Sequence, residues 1–224
     1  MKKLGEWPHL DSASGIADLA LSPMPMREAL VGRSSGYSKY LKPILDRIAA
    51  VVLLVLCAPL MAVIYVCIRL ESTGGGIFRQ ERIGLNGAVF SIYKFRTMHL
   101  HVPKEGRSPE SESDPRVTRL GRILRKTSLD ELPQLINILK GHMSFIGPRP
   151  EQKSIVELHY KPTDFYRFLV KPGITGMWQT SEDRKKPIYE NLHHDIGYIT
   201  ELSFWTDLKI IINTIKVIFR SNTY

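Results

Sequence analysis

The longest unbroken apolar stretch of the chain runs from Ile48 to Ile68, "IAAVVLLVLCAPLMAVIYVCI", 21 residues without a charge. At about 1.5 Å per residue a helix of this length matches the roughly 30 Å of a bilayer's hydrocarbon core, so the run predicts a membrane segment. Pro59, near its middle, removes one backbone donor and clashes with the carbonyl of Val55, which predicts a bend. Basic residues flank both sides: Arg33, Lys39, Lys42 and Arg47 before, Arg69, Arg79, Arg82, Lys94 and Arg96 after. That distribution gives no crossing direction, as expected of a hairpin whose two ends share the cytoplasmic side. The pattern therefore predicts a re-entrant helix-break-helix, with a Pro-kinked span as the alternative. The run is too long, and begins too far from Met1, for a cleaved signal peptide.

Elsewhere the pattern is that of a small mixed domain. Residues 1–36 hold "DSASG", "SPMP" and "GRSSG" without a sustained period and read as a mobile arm. After the flexible "STGGG", the stretch "IFRQERIGLNGAVFSIYKFRTM" alternates around Leu85-Asn86-Gly87, which predicts a β-hairpin. His99 to Thr118, with Glu105, Glu110, Glu112 and Asp114, reads as an exposed polar loop. Arg119 to Lys126 predicts a short basic helix and Ser154 to Val170 a longer one, followed by "KPGITGMWQT", a Pro/Gly turn leading into a short strand or loop. In "SFWTDLKIIINTIKVIFR", Phe204, Leu208, Ile211, Ile212, Ile215, Ile218 and Phe219 fall on one helical face. Such a face, with Lys209, Asn213 and Lys216 elsewhere and Trp205 near its start, suits either a membrane interface or the domain's own core.

Composition narrows the partners. The formal net charge of +9 over 224 residues points to anions: nucleic acid, acidic headgroups or a phosphate-bearing substrate. Nucleic acid is disfavoured, because no helix-turn-helix, zinc or RNP pattern accompanies the charge. Cys57 and Cys67 both lie in the apolar run and read as small hydrophobes. No internal repeat, Walker loop or GxGxxG is present.

The chemistry concentrates in "TSLDELPQLINILKGHMSFIGPRP", Thr127 to Pro150. Ser128 followed three residues later by Glu131 has the form of a capping box, and acids favour a helix's first turn. Pro133 as the first helical residue would instead leave Asp130 and Glu131 in the turn just before the helix. Around the acids lie Arg119, Arg122, Arg125 and Lys126, with Arg149 in Pro148-Arg149-Pro150. Guanidinium groups and free helix-start N–H groups bind phosphate oxygens. A carboxylate can attack phosphorus to form a reactive acyl phosphate, and a second acid can hold Mg²⁺. Capping and phosphate chemistry thus both fit this window.

From about Lys42 to Phe219 the chain resembles the bacterial sugar transferases, the monotopic polyprenyl-phosphate sugar-1-phosphate transferases. The likeness rests on six ordered blocks: "KPILDRIAA" entering an apolar run broken at Pro59, "FRQERIG", "YKFRTM", "DPRVTRLGRILRKTSLDELPQLINILKG", "MSFIGPRP" and "KPGITGMWQ". The resemblance implies that Asp130 is the nucleophile on the β-phosphorus of a UDP-sugar, releasing UMP. Glu131 would bind Mg²⁺ and assist the second half-reaction, in which a polyprenyl phosphate, typically undecaprenyl phosphate, takes up the sugar phosphate. Arg125 and Arg149 would be phosphate or structural anchors, with Lys94 and Arg96 of "KFRTM" as further candidates for which headgroup contacts are the alternative. The region with Tyr189, Asn191 and Asp195 resembles the part of the family linked to nucleotide-sugar choice.

The expected architecture is α+β and mostly helical: a flexible arm over 1–36, a re-entrant membrane helix over 37–70, a catalytic domain over 71–202 and an amphipathic helix over 203–224. The implied setting is the cytoplasmic face of a bacterial inner membrane, at the first membrane step of polysaccharide or glycoconjugate synthesis. Membrane lipid is a third expected partner; a second copy of the chain and downstream glycosyltransferases are further candidates. Two positions depart from the family pattern: Ala58 where a Ser commonly precedes the proline, and His142 in place of the acid of "KGDMS". Longer family members carry additional membrane helices ahead of this region, so a minimal or trimmed form is expected. The competing reading is a membrane-anchored scaffold that binds anionic lipid or a polysaccharide-assembly complex without catalysis.

Overall fold

A computed structural model describes residues 36–102, 109 and 114–220. Of the expected arm only Gly36 falls within that range, and Glu105, Glu110, Glu112 and the side chain of Phe219 lie outside it. The fold is α+β and mostly helical, with one long apolar helix.

That helix, α1, spans Lys42–Glu71 and continues a π-turn over Tyr37–Leu41. It runs as α-helix through Pro59, whereas a break between two helices was expected. A proline removes one i→i−4 bond, and the apolar turns on either side retain theirs. Its two shoulders and its middle behave differently. Ala50 is buried with Phe90, Ile92, Leu135 and Ile138, and Leu54 packs on the same cluster. Ile64 and Ile68 are buried with Phe95 and Leu124, and Met61 packs there. Between them Val55, Leu56, Ala58, Pro59 and Leu60 are all exposed.

Polar contacts fasten both ends of α1 to the same body. Near the start, Lys42 Nζ lies 2.6 Å from Asp207 Oδ2, and Asp46 Oδ1 accepts from Phe145 N at 3.4 Å. At the end, Glu71 Oε1 accepts from Leu120 N at 2.9 Å.

The hairpin forms as the alternation predicts. Strands β1 (Ile77–Ile83) and β2 (Val89–Phe95) pair antiparallel with Ile77 opposite Phe95 and Ile83 opposite Val89. Asn86 (φ 54°) and Gly87 (φ 79°) supply the left-handed backbone of the turn. The sheet is completed by β4 (Glu151–Gln152) on the other side of β1, leaving β2 as an edge. A separate parallel pair joins β3 (Ser144–Ile146) to β5 (Gly173–Thr175).

Helix α2 (Arg119–Lys126) is capped by the Thr118 side chain, which accepts from Gly121 N at 2.9 Å. Helix α3 (Gln134–Leu139) packs across β2 and α1. The single helix expected over Ser154 to Val170 is two pieces, α4 (Lys153–His159) and a 3-10 stretch Pro162–Leu169. Pro162 explains the break: it donates no N–H and pushes Lys161 into extended backbone (φ −92°, ψ 161°).

The C-terminal third adds α5 (Met177–Thr180), α6 (His193–Thr200) and α7 (Phe204–Arg220). On α7 the residues turned inward are Asp207 and Ile210, the latter packing with Ile146, Tyr166, Tyr198 and Ile199. The predicted apolar face points the other way, with Phe204, Trp205, Ile211, Ile212, Ile215 and Ile218 exposed. Of the two roles open to that face, self-packing in the core is not the one it takes.

Candidate active site

The site begins with how α2 ends. Ser128 adopts left-handed backbone (φ 56°) and its N–H bonds Arg125 O at 3.1 Å, so it closes α2 as glycine commonly does. Its side chain makes no cap bond, and the capping box with Glu131 does not form. Leu129–Glu131 is instead a 3-10 turn, and Pro133 opens α3. Asp130 and Glu131 thus stand in the turn before the helix, the alternative that Pro133 offered in the sequence.

Strand β2 delivers the first cation by its period of two. Phe90 and Ile92 point at α3, and Lys94, next on that face, meets Glu131 with Nζ 2.6 Å from Oε1. Register is set by Asn137, which is fully buried: its Oδ1 accepts from Tyr93 N at 3.0 Å and its Nδ2 donates to Ser91 O at 2.7 Å. Asn137 thereby gives edge strand β2 the partner groups of a further strand. Sequence reading passed over it, although a lone amide within "LINIL" is the kind of signal that marks such a tether.

Arg149 brings the second cation, with Nη2 3.7 Å from Glu131 Oε1. Arg125, from the last turn of α2, is near enough to act on the Asp130 charge. Burial pushes the Asp130 carboxyl up to about 6; Lys94 opposes the shift and the Glu131 charge reinforces it. Burial acts upward on Glu131 as well, but Lys94 and Arg149 outweigh it and hold that carboxyl down at about 2. Two adjacent acids are therefore driven apart, one readily protonated and one firmly ionised.

Arg96 is not part of this cluster. Just past the end of β2 and two residues on from Lys94, it is buried and donates to Thr73 O at 2.7 Å, Ser72 O at 2.9 Å and Ser72 Oγ at 2.7 Å, clamping the exit from α1. His142 is also elsewhere, at the opposite end of α3 from the acids, where burial, Lys140 and Lys171 lower its pKa. Ala58 belongs to the exposed middle of α1. Asp195 is an interior residue 3.0 Å from Arg167, and Asn191 is buried, donating to Pro187 O at 2.8 Å. Tyr189 stacks on His159 with centroids 4.2 Å apart.

Hard oxygen donors are the right set for Mg²⁺. Glu131 Oε1 is already addressed by Lys94 and Arg149. The Asp130 carboxylate receives no hydrogen bond among the described residues, so the pair retains a donor with unmet charge and fits such an ion. A second cluster, Asp183, His193 and His194, sets ligand atoms within 4.8 Å of one another. Its carboxylate is already paired with Lys186 at 2.8 Å.

Comparison with known proteins follows the same residues. The model of the family described as bacterial sugar transferase matches residues 37–221. A UDP-glucose:undecaprenyl-phosphate glucose-1-phosphate transferase of Caulobacter vibrioides is 40% identical over 232 residues, covering 98% of this chain and 87% of that protein. A UDP-N-acetylgalactosamine-undecaprenyl-phosphate N-acetylgalactosaminephosphotransferase of Aeromonas hydrophila is 40% identical over 184 residues, covering 80% of this chain and 44% of that protein. A UDP-glucose:undecaprenyl-phosphate glucose-1-phosphate transferase of Escherichia coli (strain K12) is 36% identical over 213 residues, 92% of this chain and 44% of that protein. The chain thus spans less than half the length of two of these relatives and most of the third.

Proposed function

We propose that this chain, which belongs to the bacterial sugar transferase family, transfers a sugar-1-phosphate from a UDP-sugar to a membrane polyprenyl phosphate such as undecaprenyl phosphate. The observation that carries the reading is the split pair: a buried Asp130 that receives no hydrogen bond among the described residues, beside a Glu131 held ionised by Lys94 and Arg149.

In the first half-reaction an oxygen of ionised Asp130 attacks the β-phosphorus. The bond from that phosphorus to the bridging oxygen breaks, UMP leaves, and the sugar phosphate stays on Asp130 as a mixed anhydride. Arg149 and Arg125 bind phosphate oxygens, and Lys94 keeps Glu131 charged and in place. In the second, a phosphate oxygen of the polyprenyl phosphate attacks the same phosphorus and frees the Asp130 carboxylate, giving a polyprenyl diphosphate sugar. Glu131, with an oxygen of Asp130, would hold Mg²⁺, which when bound screens charge between the attacking carboxylate and the diphosphate.

One substrate is lipid-borne, so the site belongs at a membrane surface. What supports a one-sided, re-entrant seating of α1 is that both of its ends are fastened to one globular body while its middle is exposed. The flanking basic residues favour the cytoplasmic face of the inner membrane. The outward apolar face of α7 lies in the interface under this reading.

The test is to incubate detergent-solubilised protein with Mg²⁺ and UDP-sugars labelled in the sugar. Protein-bound label with UMP release is expected from the native chain and neither from Asp130→Asn. Label retained by Asp130→Asn, or none from any common UDP-sugar, would count against covalent catalysis, the latter favouring a scaffold.

A further inference from the structure

The turn Pro148-Arg149-Pro150 carries Arg149 to Glu131. Two of its three residues are prolines, so Arg149 supplies its single N–H and the turn has to be held through its carbonyls. All three are taken, each by a donor from a different element. Pro148 O accepts from Gly173 N of β5 at 2.9 Å. Arg149 O accepts from Arg167 Nη2 of the 3-10 stretch at 2.6 Å. Pro150 O accepts from Arg82 Nη1 of β1 at 3.0 Å.

Two of these donors are guanidinium groups withdrawn from water, an unfavourable placement unless each is paired. Arg167 is fully buried; its partners are Asp195 at 3.0 Å and the Tyr160 hydroxyl, to which it donates. Arg82 is fixed by Gln80 Oε1 at 2.6 Å and Glu151 Oε1 at 3.5 Å. Among the described residues neither guanidinium bonds to Asp130 or Glu131. The two arginines nevertheless act on adjacent carbonyls of the turn whose side chain does reach Glu131.

We infer that Arg82 and Arg167 are positioning residues of the phosphate site: by holding the Arg149 and Pro150 carbonyls they aim the Arg149 guanidinium at the acid pair. The assignment rests on the function proposed above for that pair. An arginine on a slack turn would still be charged but would spend little time in the binding geometry, and a displacement of about 1 Å at such a group costs up to about 100-fold in rate. The sequence between the elements is unremarkable; Arg82 and Arg167 lie 67 and 18 residues from Arg149.

A double-mutant cycle with Arg149 separates positioning from mere stability. UMP release is measured with UDP-glucose, UDP-galactose or UDP-N-acetylgalactosamine, whichever the native chain turns over fastest. Arg82→Met, and the pair Arg167→Met with Asp195→Met that leaves no lone buried charge, are each made with Arg149 present and with Arg149→Ala. With Arg149 present, kcat/KM is expected to fall about 10–100-fold. In the Arg149→Ala background the further fall should be under about threefold, since the route through Arg149 is gone. Arg82→Lys, which keeps a donor for Pro150 O, should recover most of the loss, and it serves as the folded variant if Arg82→Met loses its thermal transition. Equal losses in both backgrounds, or full activity of Arg82→Met, would overturn positioning. Native-like activity of Arg149→Ala would overturn it too while leaving the Asp130 chemistry standing. Absence of UMP release from the native chain would bring down both.

Discussion

Burial lifts the Asp130 carboxyl to about 6, and that shift has two consequences with opposite signs. For chemistry the ionised form is needed, so formation of the protein-bound label should rise with pH through about 6 and level off above it. A profile flat from pH 5 to 8 would contradict this. For stability, a folded pKa above the unfolded value of about 3.9 means that proton binding favours the native state. The contribution is full below about pH 4 and is lost as pH rises through about 6, so the native chain at pH 7.5 carries the cost of an ionised buried carboxylate. Asp130→Asn should therefore abolish labelling yet raise unfolding stability by about 1–3 kcal/mol at pH 7.5, measured by thermal or denaturant unfolding. Glu131 differs: Lys94 and Arg149 hold it ionised, so its charge stabilises the fold above about pH 4.5 and that contribution is lost as pH falls through about 2; Glu131→Gln should stay folded but lose turnover and about 1–3 kcal/mol of stability at neutral pH. Unfolding of that variant would show that its role is structural.

At the scale of elements, the site is assembled by contacts that join edges to ends. Asn137 ties α3 to the free edge of β2, and without it Tyr93 N and Ser91 O lose their partners. Asn137→Leu should destabilise the protein by about 2–4 kcal/mol, because two buried backbone groups are left unsatisfied. Its residual activity should be below that of the equally destabilised Ile138→Val/Val156→Ala pair, since Lys94 then loses its register to Glu131. Equal activity at equal stability would show that register has no bearing on the site. The same logic explains the capping box. "S-x-x-E" was legible, but Ser128 is consumed in ending α2, and one residue does not serve both as left-handed terminator and as N-cap.

Over the whole molecule, α1 is both the one described helix long and apolar enough for a membrane and part of the core. Its shoulders contribute Ala50, Ile64 and Ile68 to two clusters, each buried isoleucine being worth about 1.5–3 kcal/mol. Asp207 of α7 gathers Lys42 Nζ at 2.6 Å, Tyr37 OH at 2.6 Å and Tyr198 OH at 2.9 Å, so the two apolar helices are joined at one buried carboxylate. Asp207→Ala should cost about 3–5 kcal/mol, because Lys42 is left buried without its counter-charge. For topology, exposed Tyr40 and Glu81 replaced by Cys, in a chain with Cys57 and Cys67 changed to Ala, are expected to label from the same side of sealed vesicles. Labelling from opposite sides would mean that α1 spans.

The sequence by itself determined what is local. A 21-residue uncharged run is apolar whatever it packs on, the period of two in β1 and β2 follows from pleating, and Asp130-Glu131 near Pro133 puts two carboxylates at a helix N-terminus, in its first turn or just before it. The six family blocks followed from the same letters. Tertiary structure decided which groups meet across distance. It drew Lys94 to Glu131 and sent Arg96, two residues on, to the α1 exit. It turned the apolar face of α7 outward and buried Asp207 instead. It also recruited Arg82 and Arg167 to the carbonyls of one rigid turn. Period and propensity report a residue's immediate neighbours along the chain. The partner of a buried charge is chosen by the cost of leaving it unpaired, and that cost is set only when remote segments close around it.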